Sequence, residues 1–122
     1  MSRYAMLSCF LLVLGVTVFA GLRSEPVPQL FQHQDWLHHG AAFAALAGTA
    51  RLAFARCHWC WIVLYCLLLA LGIELAQGLL PQRTPALDDM LANVVGVGLG
   101  MLAAGLFRRL QRAPGFPALR GP

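Results

Sequence analysis

The sequence predicts an all-α polytopic membrane protein, a bundle of four transmembrane helices. Two observations carry that expectation. Of 122 residues, 59% are hydrophobic and only 11% charged, with mean hydropathy +0.67, and nearly all of the charge falls between four long apolar runs. A soluble domain carries about a quarter charged residues, so a water-exposed surface cannot be assembled from this composition. Each crossing takes roughly 20 residues, which limits the chain to one domain of four spans. Runs of this length without polar alternation favour helices over barrel strands.

The first run, Tyr4 to Leu22, contains no ionisable group but Tyr4 and Cys9. Val18, Phe19 and Ala20 resemble a signal-peptidase site, but the apolar stretch exceeds the roughly 7 to 15 residues of a signal core, so it is read as a retained span. The second run, Trp36 to about Phe54, is rich in Ala and Gly, with His38 and His39 near its start. The third, Trp59 to Leu80, carries Glu74 and Gln77. The fourth, Met90 to Phe107, has Asn93 at its head and glycines in its middle. Residues 1–112 are therefore expected to form the four-helix domain, and 113–122, with Pro114, Gly115, Pro117, Gly121 and Pro122, a disordered tail.

Nine arginines, no lysines and five acids give a net charge of +4, read as membrane-flanking charge rather than a nucleic-acid face. With four spans, one side collects Arg3, Arg51, Arg56, Arg108, Arg109, Arg112 and Arg120, against Arg23 and Arg83 on the other. The positive-inside rule then predicts both termini to be cytoplasmic. Trp36, Trp59 and Trp61 fall at expected boundaries, where indole rings prefer to sit.

A charged side chain at mid-membrane costs at least about 2.5 kcal/mol, which singles out Glu74. It lies six residues before Leu80, hence roughly 9 Å below the outer boundary, with Gln77 on the same face. Spans two and four begin at that outer face, so Asp35, His38 and His39 reach the same depth, as do Asp88, Asp89 and Asn93. Asp35 and His39 are spaced i, i+4, which lets the carboxylate accept from the imidazole. Asp89, Asn93, Gly96 and Gly100 share one helical stripe. Gly96 and Gly100 form a GxxxG, and Gly40, Ala44 and Gly48 a second small-residue row, both of the kind that lets helix backbones approach; they are read as packing. Between spans three and four, Pro81 and Pro85 stiffen a loop with Arg83, which either closes over the carboxylates, holds an anionic head group or is simply exposed.

These residues resemble the VanZ-like membrane proteins. The strongest match is Glu74-x-x-Gln77, Pro81-x-Arg83, then Asp89-x-x-x-Asn93-x-x-Gly96-x-x-x-Gly100, in the family's order and spacing. A second is Asp35-x-x-x-His39 with Phe43 a turn later, although the family usually has a lysine where this chain has Trp36, and His38 is extra to the pattern. The resemblance covers about Asp35 to Gly100. It implies a small bacterial inner-membrane protein of four helices, in a family named for a member associated with low-level teicoplanin resistance. It implies no reaction and assigns no resistance role to this chain.

Cys57-His58-Trp59-Cys60 is a CxxC without the βαβ context, following His or second ligand pair that redox, haem or zinc sites use; these are read as interfacial residues, and Cys9 and Cys66 as buried apolar ones. No cofactor motif is present. His39, Glu74 and Asp89 have the chemistry of metal ligands, but the sequence does not establish their convergence, so no metal is assigned. The favoured function is a site of Asp35, His39, Glu74, Gln77, Arg83, Asp89 and Asn93 near the periplasmic face. Its expected partners are membrane lipids and a lipid-linked envelope precursor or other amphipathic ligand. The alternative is a structural or accessory protein whose polar residues form a packing network. Transport is a third reading, disfavoured because no ionisable residue continues through span four toward the cytoplasm.

Overall fold

In the computed structural model, which describes residues 2–24, 28–81 and 87–112, four helices follow one another: α1 (Arg3–Gly21), α2 (Gln34–Ala53), α3 (Trp59–Gln77) and α4 (Leu87–Arg112). Ser2 caps α1 by accepting from the Ala5 N–H, and His58 Nδ1 accepts from the Cys60 N–H at the start of α3. Such caps answer backbone donors that a helix start leaves without partners. His33, in the left-handed region at φ 63°, turns the chain into α2.

Three ends differ from the sequence expectation. α3 stops at Gln77 rather than Leu80, because its last carbonyls are taken by a tight turn: the N–H groups of Gly78, Leu79 and Leu80 donate to Glu74, Ala76 and Gln77. Glu74 therefore sits in the last turn of its helix. α4 starts three residues before Met90 and runs to Arg112. Asp88 and Asp89 in its first turn, and Arg109 and Arg112 in its last, complement the helix dipole and extend both ends.

Helices α1, α3 and α4 are each long and apolar enough to cross a membrane. α2 matches them with 20 residues but is less apolar, and packing explains why. It touches each of the other three helices and lies most extensively against α4, so neighbouring helices replace lipid over much of its surface. Phe43, Leu46, Ala47 and Ala50 of α2 join Phe10, Ile62, Cys66, Ala70, Ile73 and Val97 in one buried core. Leucines on α1, α3 and α4 point outward instead, as expected where the solvent is hydrocarbon. Cys66 is buried, but Cys9 is exposed on α1, contrary to its expected burial, because α1 turns that side away from its neighbours.

The two small-residue rows meet. A Cβ placed on Gly96 would fall on the Gly40 carbonyl, 3.0 Å from the Gly40 Cα, and one on Gly100 would fall on the Ala44 carbonyl. Pairs 40 with 96 and 44 with 100 advance together, so α2 and α4 run parallel in direct backbone contact. Gly100→Ala is therefore expected to lower the unfolding free energy in detergent by about 2 kcal/mol through overpacking. Gly98→Ala, with open space at the same point, is expected to be neutral or mildly stabilising. Equal effects in a denaturant titration would contradict this packing.

Candidate functional site

Because α2 and α4 touch at Gly40 and Gly96, the residues just before the contact are brought together at the same end of the bundle. His39 directs its ring between α3 and α4. Its Nδ1 lies 3.2 Å from Asn93 Oδ1 and 3.5 Å from Glu74 Oε1, and its Nε2 lies 3.8 Å from Asp89 Oδ2. The three ionisable side chains are largely enclosed, at 13% exposed for His39, 7% for Glu74 and 16% for Asp89. Asn93 is fully buried, and its Nδ2 has no hydrogen-bond partner among the described residues. Three helices thus contribute four polar side chains to one buried cluster. The sequence put His39, Glu74, Asp89 and Asn93 at one depth on three helices; the structure brings these four side chains together.

Asp35 and Gln77 are placed differently. Asp35 accepts from Gln29 Nε2 of the preceding segment rather than from His39, so the local i, i+4 pair gives way to His39's contacts on other helices. Gln77 is buried and donates from Nε2 to the Gly21 carbonyl at 2.8 Å, fastening α3 to the end of α1. Arg83 lies outside the described residues, as does the tail from residue 113.

Beside the cluster, residues of α1, α2 and α3 line a partly open cavity of about 310 Å³. Its lining mixes Asp35, His38, His39, Gln77 and Thr17 with Ala20, Ala42, Phe43 and Ile73. His39 belongs to both cavity and cluster.

The family model described as VanZ/LLP1 matches residues 4–108. The chain belongs to the VanZ/LLP1 family. No curated protein and no solved structure matches it significantly. The match takes in all four helices of this VanZ/LLP1 protein except the extreme ends of α1 and α4, wider than the stretch from Asp35 to Gly100 on which the resemblance first rested.

Two polar residues were not singled out from the sequence of this VanZ/LLP1 chain. Gln34 is buried at the head of α2, where its Oε1 accepts from the Leu30 N–H at 2.7 Å and its Nε2 donates to the Pro28 carbonyl at 3.2 Å. It holds the segment entering α2 in place, next to Asp35. Thr17 is buried on α1 and lines the cavity. A lone glutamine before a span and a lone threonine inside one give no spacing signal; Gln34 is interior because the segment before α2 folds over it, and Thr17 because α1 packs on its neighbours.

His39 faces two enclosed acids, so its removal leaves Glu74 and Asp89 opposed without the imidazole between them. His39→Leu is expected to lower stability in detergent by about 2 to 3 kcal/mol. His38→Leu, at an exposed position, should change it by less than about 0.5 kcal/mol. Comparable losses at the two positions in chemical unfolding would remove the energetic role assigned to the cluster.

Proposed function

We propose that the polar end of this VanZ/LLP1 protein faces the periplasm of a bacterial inner membrane, with both termini cytoplasmic, and binds a lipid-linked or otherwise amphipathic component of the cell envelope. The observation that supports this reading is the mixed lining of the cavity. On α2 and α3 its polar residues, Asp35, His38, His39 and Gln77, lie nearer the helix ends than its apolar ones, Ala42, Phe43 and Ile73. A molecule with a polar head and an apolar tail suits such a lining, and about 310 Å³ falls at the small end of the range of ligand pockets, suited to a head group or the first part of one. Helix ends beside the hydrocarbon boundary are where such heads lie.

In this reading His39 and Gln77 orient the polar head by hydrogen bonding. Arg83, in the segment joining α3 to α4, supplies the positive charge that an anionic head group requires. If the site also performs chemistry, His39 and Glu74, with nitrogen and oxygen 3.5 Å apart, are the pair suited to exchange a proton with a bound ligand.

One observation favours a structural role for part of the set. The Gln77 to Gly21 bond and the two Gln34 bonds join backbone segments, so these residues hold elements together whatever the cavity binds.

Extraction and mass spectrometry of lipids retained by the purified protein test the proposal. Wild type is expected to retain a phosphate-bearing lipid, and both Ala42→Leu, which fills the cavity, and Arg83→Ala should lose it while remaining folded. A wild type that retains no lipid, or variants that retain it fully, would overturn the reading.

A further inference from the structure

A neutral imidazole carries one N–H, so of its two ring nitrogens one always presents a lone pair. At His39 both nitrogens face oxygen. Nδ1 is turned to Asn93 Oδ1 and Glu74 Oε1, and Nε2 to Asp89 Oδ2. With the ring neutral, one of these nitrogens sets its lone pair toward an oxygen. A proton on the ring or on a carboxyl, a turned Asn93 amide, or a metal ion relieves this.

The spacings favour the metal ion. N–H···O bonds are about 2.7 to 3.2 Å long, whereas the two acids stand 3.5 and 3.8 Å from the ring nitrogens. Ligands bonded at about 2.0 to 2.2 Å to one tetrahedral ion sit about 3.3 to 3.6 Å from each other, the spacing of Glu74 Oε1 from Nδ1, while Asp89 stands by the other ring nitrogen, Nε2, and has to turn to reach the same ion. One ligand atom from each of His39, Glu74 and Asp89 lies within 4.8 Å of the other two, so modest side-chain rotations bring all three to one point. Asn93 is the independent observation. It is fully buried, it is directed at His39, and its Nδ2 has no hydrogen-bond partner among the described residues. An amide oxygen beside a ligating imidazole either fixes its tautomer, as outer-shell partners of metal-bound histidines do, or joins the ligand set itself.

We propose that His39, Glu74 and Asp89 form a binding site for a divalent transition-metal ion, with Asn93 supporting it. One imidazole and two carboxylates suit Zn²⁺ or Mn²⁺; Ca²⁺ calls for six to eight oxygens, and copper(I) for thiolate or thioether sulfur. Two carboxylates and a divalent ion are together neutral, which is how enclosed acids are accommodated where a net charge is costly. His39 also lines the cavity, so the ion lies at its edge. The inference stands on the donor geometry and does not depend on what the cavity holds.

The test is titration of purified, chelator-treated protein with Zn²⁺ and with Mn²⁺, followed by calorimetry and by metal content after gel filtration. Wild type is expected to bind about one ion per chain, to unfold at a higher temperature when loaded, and to bind more weakly as pH falls, because the ligands must be deprotonated. Asp89→Asn keeps the shape of the side chain and is expected to weaken binding by about tenfold or more. His39→Ala should abolish it, with circular dichroism confirming that both variants are helical. His38→Ala and the Cys57→Ser/Cys60→Ser double variant should bind as wild type does. The proposal is overturned if wild type binds neither ion at millimolar concentration. It is equally overturned if binding survives in helical Asp89→Asn and His39→Ala but disappears when the cysteines are replaced.

Discussion

The contact on which the rest of this structure depends is the meeting of two backbones. In lipid, apolar side chains gain little by leaving one hydrocarbon surface for another, so helices associate through close packing and polar bonds. α2 and α4 achieve the first with Gly40 against Gly96 and Ala44 against Gly100, where a Cβ added to Gly96 or Gly100 has no room. That contact sets the separation and axial register of the two helices. With the register set, His39 must lie near Asn93 and Asp89, since it immediately precedes Gly40 while they precede Gly96 by about one and two turns.

The third helix completes the cluster. Glu74 enters in the last turn of α3, and the Gln77 bond to Gly21 anchors that end of α3 against α1. A small-residue contact, an interhelical amide bond and a short turn thus position acids and an imidazole that on one isolated helix would be expensive to hold in a bilayer. The cavity borders the cluster because α1 closes over the remaining side of α2, with Thr17 and Gly21 facing it.

Much of this was legible in the residues. The four apolar runs predicted four helices, and the GxxxG together with the Gly40, Ala44, Gly48 row predicted a tight bundle. Depth counting placed Glu74, His39, Asp89 and Asn93 at one level, because strictly helical spans make depth a function of residue number alone. What the sequence hid depends on azimuth and on irregular backbone. Which helix His39 faces follows from how α2 rotates against α4, so the local pairing with Asp35 looked equally good. The end of α3 at Gln77 reflects a turn that begins before Pro81, and Gln34 is interior only because the chain folds back over it. The lower hydropathy of α2 is itself a sign of its central place, as it packs most extensively against the other helices.

The most direct measurement of the central claim uses Asn93, the single asparagine in the sequence. Protein labelled with ¹³C at the asparagine side-chain carbonyl and ¹⁵N in the histidine rings, reconstituted in lipid, allows a dipolar-coupling experiment by solid-state NMR. A measurable coupling to one histidine is expected, in keeping with the 3.2 Å contact of Nδ1 and Oδ1. It should disappear in helical Gly96→Val, where the backbones are forced apart. A coupling absent from wild type, or unchanged in the variant, would contradict the claim that the α2–α4 backbone contact builds the site.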